Sequence, residues 1–467
     1  MKVYVFPVLI VLLLICSFTV IENDTSKISA IIQNNPSSGN TVIPVNTETP
    51  MSKKSPLKTT SQANQGIRAN SGPPIISAFL SNQLSLQFSN YLLQFYRNFP
   101  INTQHTAPDT LFNNLFHSDN YYHNFACLIS GIKNPGSMYD PLLDSDSTWK
   151  KNAGYINNSW HSLDTGRLEK IAKWKEAEFP AALKATTTVF YPFSGPDFLT
   201  AFAFFPEMDT IVMLGLEKVG RFPEMEKMTS PAAGNYALDL KSSLSDIFNK
   251  SYFITQHMQR QLSNQKVNGI LPLIAFFIER TGNKIADVNY LILKDDSIAK
   301  TRKIIEVGYN YKGKENPFGV KINYLHANKL CTAYYYRYNV ANSNFADTSA
   351  FYLQLSKMNC FVTYMKSASY LLHNKTLSNM RDLILRKSNF ILQDDTGEPF
   401  SFLLKDNKWN LKIYGQYTAP VKDFPYMYED KLLRKAVSDN PKKADLPFHL
   451  GYHWGNKKDL LILASKK

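Results

Sequence analysis

The segment TTTVFYPFSGPDFLTAFAFFPEMDTIVMLGLE (residues 186–217) decides the fold. Its first part, 186–193, is mostly β-branched or aromatic, which predicts a strand. After a turn, the apolar stretch 198–205 predicts a short helix, and the apolar run 210–216 predicts a second, buried strand. Strand, turn, helix and strand make a βαβ unit. Because such a unit joins parallel strands, the segment predicts a parallel sheet covered by helices.

The turn inside this segment carries the candidate ligand-binding site, which is Ser194, Gly195 and Asp197 with Glu217 at the end of the second strand. A helix that begins at the carboxyl end of a parallel strand presents free N–H groups to an anion. An acid about twenty residues further on is where dinucleotide-binding folds hold a ribose. Gly195 stands alone where that fingerprint has several glycines, so no nucleotide cofactor is predicted. An anionic or polyhydroxy ligand and a capped structural turn both remain open.

Catalysis by Ser194 is a weaker hypothesis. A hydrolase elbow places glycines two residues on either side of the serine, and those positions hold Pro192 and Pro196 here. A catalytic serine also needs a histidine partner. His373 and His449 are candidates that the sequence does not place beside the serine.

Other polar groups carry weaker signals. His449 and His453 are four residues apart, but the glycine and aromatic residues around them favour a loop over a helix that would hold a metal. His117 and His123 have no known ligand spacing. The run DDTGE (394–398) has the composition of a calcium-binding or glycosidase turn. Adjacent side chains at a strand end point in opposite directions, so a solvated turn is predicted.

The rest of the chain continues to alternate helices and strands. A second unit of strand, turn, helix, strand and acid is predicted over 361–394, which leaves both an ancient duplication and two ordinary βαβ units open. Residues 101–159 are predicted to be rich in loops, and 400–414 to form a hairpin. The predicted fold class is therefore α/β: two mixed α/β domains, over 75–298 and 299–467, with partly parallel sheets covered by helices.

The N-terminus predicts export. Lys2 is followed by an almost unbroken apolar run, so residues 1–21 are predicted to be a signal peptide or a membrane anchor. The polar tract 22–74 is predicted to be a disordered tether. Cys16 is the candidate lipidation site, although Ile15 stands where a lipobox usually has a small residue. A lipoprotein, an uncleaved anchor and a secreted protein remain open, and the expected location is the cell envelope.

The charge of the chain favours anionic partners. Its formal net charge is +14, and basic residues gather near the C-terminus. On an exported protein this favours anionic lipid or glycan, in addition to membrane contact through the N-terminus, with a solvated basic surface as the alternative. No nucleic-acid-binding module is visible. The four cysteines do not form the pattern of a disulfide scaffold.

Four strings resemble those of an uncharacterised family of exported bacterial proteins that carry a YPFSGPD motif. They are YPFSGPDFL (191–199), GLEKVG (215–220), KSASYLLH (366–373) and QDDTGEPF (393–400). The resemblance covers most of the chain beyond the tether. It implies export, and it supplies no activity and no catalytic residue.

These observations predict an exported cell-envelope protein of unknown activity with a binding or structural role. The reason is that no complete catalytic constellation is visible in a large chain that can bury substantial cores. The alternative is an envelope hydrolase or transferase that uses the turn at 194–197 with Glu217.

Overall fold

The computed structural model describes the chain from residue 120 to 467, except for gaps at 138, 224–229, 251, 254–266, 297–300, 312–316, 423, 425–428, 441–444, 454 and 456. The predicted leader (1–21), the tether (22–74), Cys16 and His117 lie outside the described residues. None of the helices in the described part is both long enough and apolar enough to cross a bilayer.

The described residues contain ten strands. They are β1 (Thr188–Tyr191), β2 (Thr210–Gly215), β3 (Lys284–Asp296), β4 (Thr301–Gly308), β5 (Gly319–His326), β6 (Lys329–Arg337), β7 (Phe361–Met365), β8 (Ser388–Gln393), β9 (Trp409–Gly415) and β10 (Leu460–Lys466). All ten form one sheet in the order β4-β3-β5-β6-β2-β1-β7-β8-β10-β9. The five central strands, from β6 to β8, are parallel. The pairings at both ends of the sheet are antiparallel.

Eleven α-helices are described. They are α1 (Tyr121–Ile129), α2 (Asp140–Ser145), α3 (Ser147–Leu163), α4 (Glu169–Glu178), α5 (Phe198–Phe204), α6 (Ser230–Lys250), α7 (Leu271–Arg280), α8 (Ala350–Lys357), α9 (Ser378–Lys387), α10 (Phe400–Leu404) and α11 (Lys431–Ser438). A π-helical turn, Asp164–Leu168, joins α3 to α4.

The segment 186–217 forms the βαβ unit that the sequence predicts, with α5 between β1 and β2. A second unit joins β7 to β8 through α9. The two units leave the centre of the sheet in opposite directions, because β1 and β7 are neighbours while β2 and β8 lie outside them. In chain order the parallel strands therefore run third, second, first, fourth, fifth. This is the order of doubly wound nucleotide-binding sheets, whose ligands bind at the carboxyl ends of the strands where the order reverses.

Apolar side chains on the two faces of the sheet build two cores. In β1, Val189 and Tyr191 belong to one core and Phe190 to the other, as expected for a strand buried on both faces. Side chains of α1–α7 pack into the first core, and those of α8–α11 pack into the second. The α/β prediction is confirmed. Because helices cover both faces, polar groups converge at the ends of the strands.

The predicted division into two domains is not confirmed. The expected boundary between 298 and 299 falls between β3 and β4, which pair over Asn289–Asp296 and Thr301–Gly308. These strands continue the same sheet through β5 to β6. A boundary placed there would separate two strands that share backbone hydrogen bonds along most of their length.

Two local predictions were wrong. The stretch predicted to be rich in loops contains α1 and α3, and each begins at a capping side chain, Asn120 for α1 and Asp146 for α3. The predicted hairpin at 400–414 is helix α10 followed by β9. Phe400 and Leu403, three residues apart, both pack into the second core, which favours a helix, and β9 pairs with β10 instead.

Candidate functional site at the carboxyl edge of the parallel strands

The turn after β1 is fastened to the end of β2. Ser194 is buried, and its hydroxyl lies 2.9 Å from the carbonyl oxygen of Gly195 and 3.1 Å from that of Leu214. The same oxygen accepts the Leu214 N–H at 3.1 Å. Gly195 has a φ of +54°, and its N–H donates to the Leu214 carbonyl at 3.0 Å. The hydroxyl of Ser194 thus links the turn to the end of β2. These bonds use its hydrogen-bonding capacity inside the protein.

Asp197 begins α5 and forms a buried ion pair with Lys366. Its carboxylate accepts the N–H of Thr200 at 3.2 Å and the hydroxyl of Tyr191 at 3.0 Å. Lys366 Nζ lies 2.7 Å from Asp197 Oδ2. The exposed fraction is only 1% for the Lys366 side chain and 3% for the Asp197 side chain. Burial lowers the pKa of Lys366, while the carboxylate beside it acts in the opposite direction. The pair connects the turn after β1 with the turn after β7, where the strand order reverses.

Glu217 is buried at the end of β2 and faces inward. Its Oε2 accepts the N–H of Leu216 at 3.1 Å and lies 3.2 Å from the hydroxyl of Tyr335 on β6. A Cβ built on Gly215 would stand 2.4 Å from this oxygen and 3.1 Å from the Cα of Gly195. Gly195 and Glu217 therefore meet at Gly215, as expected for the ends of neighbouring parallel strands.

The four predicted site residues lie at one edge of the sheet, but they contact two different groups of strands. Ser194, Gly195 and Glu217 contact the β2 and β6 side, whereas Asp197 faces Lys366 on the β7 side. Each has partners inside the protein. Ligand binding by these four residues stays a prediction.

A basic cavity opens beside Glu217, beyond the carboxyl ends of β2 and β6. Its volume is about 60 Å³, and it is lined by Lys218, Val219, Gly220, Arg221, Asn268, Pro317 and Arg337. Arg221 donates to the carbonyl of Tyr311 at 2.8 Å, and its guanidinium lies 5.0 Å from the ring centre of Tyr290. Arg337 donates to the carbonyl of Leu216 at 3.3 Å. The backbone and an aromatic ring thus position two of the three cationic side chains.

Two glycines bring the walls of this cavity together. Gly220 and Gly269 have φ values of +77° and +84°. The N–H of Arg221 donates to the carbonyl of Asn268 at 3.1 Å, and a Cβ on Gly220 would stand 1.5 Å from that oxygen. Any side chain at Gly220 would push the segments apart, so the close crossing needs glycine. It places Lys218 and Arg221, which precede and follow Gly220, on one concave surface.

The acidic run 394–398 lies in the interior, so the prediction of a solvated turn was wrong. Asp394, Asp395 and Glu398 are all buried. Asp394 accepts the N–H of Ser367 at 2.8 Å, and Asp395 accepts the hydroxyl of Tyr370 at 2.8 Å. The turn after β7 therefore closes over these carboxylates.

An unusual backbone conformation shapes this closed region. Ser367, Ser369 and Tyr370 all have positive φ values, of 56°, 53° and 55°. Such values are strained for residues other than glycine, and they occur in the turn from which the Ser367 N–H and the Tyr370 hydroxyl reach the acids. Burial, with a contribution from Asp395, raises the pKa of Asp394 to about 6.

The two C-terminal histidines bind different carboxylates. His449 Nδ1 lies 2.6 Å from Asp459 Oδ2, whereas His453 Nε2 lies 3.8 Å from Asp395 Oδ1. The nearby carboxylate of Asp395 raises the pKa of His453. The spacing of these histidines therefore does not create a shared metal site. Among the described residues, the group whose donor atoms lie close enough to hold an ion is His123, Cys127 and Glu279.

Sequence reasoning missed several residues that matter here. Lys366 directly follows β7, and a lysine at a strand end carries no sequence signal that it is buried. Arg221 and Arg337 are 116 positions apart in the chain and meet only through the pairing of β2 with β6. No protein-family model matches this sequence, and no curated protein matches it either.

Proposed function

We propose that this is an exported cell-envelope protein with a binding role, and that it binds an anionic group in the basic cavity beside Glu217. The apolar leader over 1–21 and the polar tether over 22–74 support export. The resemblance to exported bacterial proteins supports it as well. Attachment through Cys16 or through a retained leader would hold the domain at a membrane.

The observation that carries the binding proposal is the convergence of Lys218, Arg221 and Arg337 on one cavity. None of the three forms an ion pair with any residue that the structure describes. Arginine forks suit phosphate and carboxylate oxygens. A volume of about 60 Å³ leaves room for one such group, since roughly 10–15 Å³ of cavity volume already holds a water.

The position in the fold agrees with this proposal. The cavity lies at the carboxyl edge of the sheet, the edge where doubly wound sheets bind ligands, although two strands from the point where the order reverses. An anionic lipid headgroup and an acidic glycan both present the required oxygens. The hydrogen bonds that occupy Ser194 and the ion pair of Asp197 give no support to the alternative of a hydrolase or transferase at this turn.

The binding test uses inorganic phosphate and the thermal unfolding midpoint. At constant ionic strength, phosphate should raise the midpoint of the wild-type protein relative to chloride, because a ligand of the folded state stabilises it by mass action. Arg337→Gln and Lys218→Ala should each weaken the apparent affinity about tenfold, as expected for the loss of one charge-assisted hydrogen bond. The matched control is Lys151→Ala, since Lys151 is an exposed lysine on α3.

Two further arms distinguish the source of the anion. Retention on vesicles that contain anionic lipid would identify a headgroup, and binding of a uronic-acid oligosaccharide would identify a glycan. Either must be lost in Arg337→Gln. The same loss in Lys151→Ala, or no effect of phosphate on the wild type, would contradict the proposal. Fractionation of cells that produce the full chain tests export, and an intact leader on a soluble cytoplasmic protein would contradict that part.

A further inference from the structure

His123, Cys127 and Glu279 converge between α1 and α7, away from the sheet edge described above. His123 and Cys127 are one helical turn apart on α1, and Glu279 comes from the last turn of α7. His123 Nδ1 lies 2.8 Å from Glu279 Oε1, and Cys127 Sγ lies 3.6 Å from Glu279 Oε2. The sulfur is 3.7 Å from His123 Nδ1. All three donor atoms lie within 4.8 Å of one another.

This cluster lies within apolar surroundings. Every residue from Leu271 to Ile278 on α7 is buried, and Phe125 to Ile129 on α1 are buried as well. Cys127 and Glu279 are buried, while the side chain of His123 remains 14% exposed. Three polar side chains in a core must serve as hydrogen-bond or ion-pair partners for one another, because burying polar groups without partners is costly. The exposed part of His123 gives the cluster a connection to solvent.

We propose that His123, Cys127 and Glu279 form a binding site for a divalent transition-metal ion, with Zn²⁺ as the best match. Nitrogen, sulfur and carboxylate oxygen are the three ligand types of zinc sites. One thiolate and one carboxylate would balance the two charges of the ion. Three protein ligands leave a fourth tetrahedral position for water, which is the arrangement of zinc sites that are not purely structural.

The distances agree with this assignment. Zinc bonds of about 2.0–2.3 Å in a tetrahedron place the ligand atoms roughly 3.4–3.6 Å apart. The separations of Cys127 Sγ from His123 Nδ1 and from Glu279 Oε2, 3.7 Å and 3.6 Å, fall close to that range. The 2.8 Å hydrogen bond between His123 Nδ1 and Glu279 uses the other carboxylate oxygen, Oε1, and it must open for both side chains to bind one ion.

The surroundings hold the ligands in place. The side chain of Asn120 caps α1 by accepting the N–H of His123 at 3.1 Å, and it donates to the carbonyl of Ile285 at 3.1 Å. The N–H of Ile285 donates to Glu279 Oε1 at 3.2 Å. The start of β3 thus fixes both α1 and the carboxylate, and such outer contacts orient metal ligands. Without an ion, burial raises the pKa of the Cys127 thiol and keeps it protonated.

The test measures metal content and the absorption of a cobalt derivative. Protein purified without chelator should carry close to one zinc per chain. After removal of the zinc, Co²⁺ should give a thiolate-to-cobalt charge-transfer band. Cys127→Ser should abolish the band and lower zinc affinity at least about tenfold, and His123→Gln should lower the affinity without abolishing the band. The matched control is Cys331→Ser, since Cys331 is also a buried free cysteine.

Circular dichroism and the thermal midpoint of each variant separate loss of metal from loss of fold. A folded Cys127→Ser protein that keeps the cobalt band would overturn the proposal. An equal loss in Cys331→Ser would also overturn it, as would folded wild-type protein that binds neither Zn²⁺ nor Co²⁺.

Discussion

The turn after β7 and the cavity after β2 lie on the same carboxyl edge of the sheet, but their charged side chains are in opposite environments. At the reversal point between β1 and β7, the charges of Asp197 and Lys366 are buried and paired. At the cavity, Arg221 and Arg337 donate hydrogen bonds to backbone carbonyl oxygens, so their positive charges remain available to a ligand. The position where doubly wound sheets usually bind ligands is filled by the protein's own side chains. The open positive surface lies two strands away.

This difference separates stability from binding. A buried ion pair is costly to break, because removing one partner leaves a desolvated charge. A half-exposed cation held by the backbone can exchange water for an anion at little cost to the fold. Changes at the reversal point should therefore affect unfolding, and changes at the cavity should affect affinity.

The largest expected effect is that of Lys366→Met. This change leaves the Asp197 carboxylate buried without its cation, so the free energy of unfolding should fall by about 3–5 kcal/mol in urea titrations. The double variant Asp197→Asn/Lys366→Met should recover part of the loss, since asparagine also caps a helix and carries no charge. Lys435→Met removes an exposed pair with Asp439 and should cost almost nothing. Equal losses in Lys366→Met and Lys435→Met would contradict the comparison.

A smaller effect is expected in the pH dependence of stability. Burial raises the pKa of Asp394 from 3.8 to about 6, so the folded state holds a proton that the unfolded chain releases. This group stabilises the fold below its unfolded pKa, and the contribution is lost as pH rises through about 6. The raised pKa of His453 acts in the same direction, and the lowered pKa of His373 acts in the opposite direction.

The variant Asp394→Asn isolates the contribution of this carboxyl. The unfolding free energy of the wild type minus that of Asp394→Asn should fall by roughly 2–3 kcal/mol from about pH 4 to pH 7. A difference that stays constant over this range would mean that Asp394 titrates normally and is not desolvated as described.

The sequence predicted the centre of the fold because local signals and the sheet agree there. Strand, turn and helix between Thr188 and Gly215 are each encoded by neighbouring residues. The sequence did not predict one continuous sheet. The pattern of residues in β3 and β4 fits one domain as well as two, because it does not show that these strands pair. Of the candidate site, Gly195 and Glu217 lie against Gly215, while ligand binding by Ser194, Gly195, Asp197 and Glu217 stays a prediction.

The rest of the site depends on contacts between distant segments. Arg221 and Arg337 share a cavity only because β2 pairs with β6. Asp394 and Asp395 look like a surface turn in sequence, and they are buried because Ser367 and Tyr370 fold over them. The pairing of His123 with Cys127 was overlooked because their segment was predicted to be rich in loops, where a spacing of four residues has no structural meaning.

The most direct test of the central claim compares phosphate-dependent stabilisation in the wild type, in Arg337→Gln and in Asp394→Asn. We expect Arg337→Gln to lose most of the midpoint shift that phosphate produces, and Asp394→Asn to keep it. A shift that survives in Arg337→Gln and disappears in Asp394→Asn would place the binding site at the closed turn after β7 and contradict a site in the basic cavity.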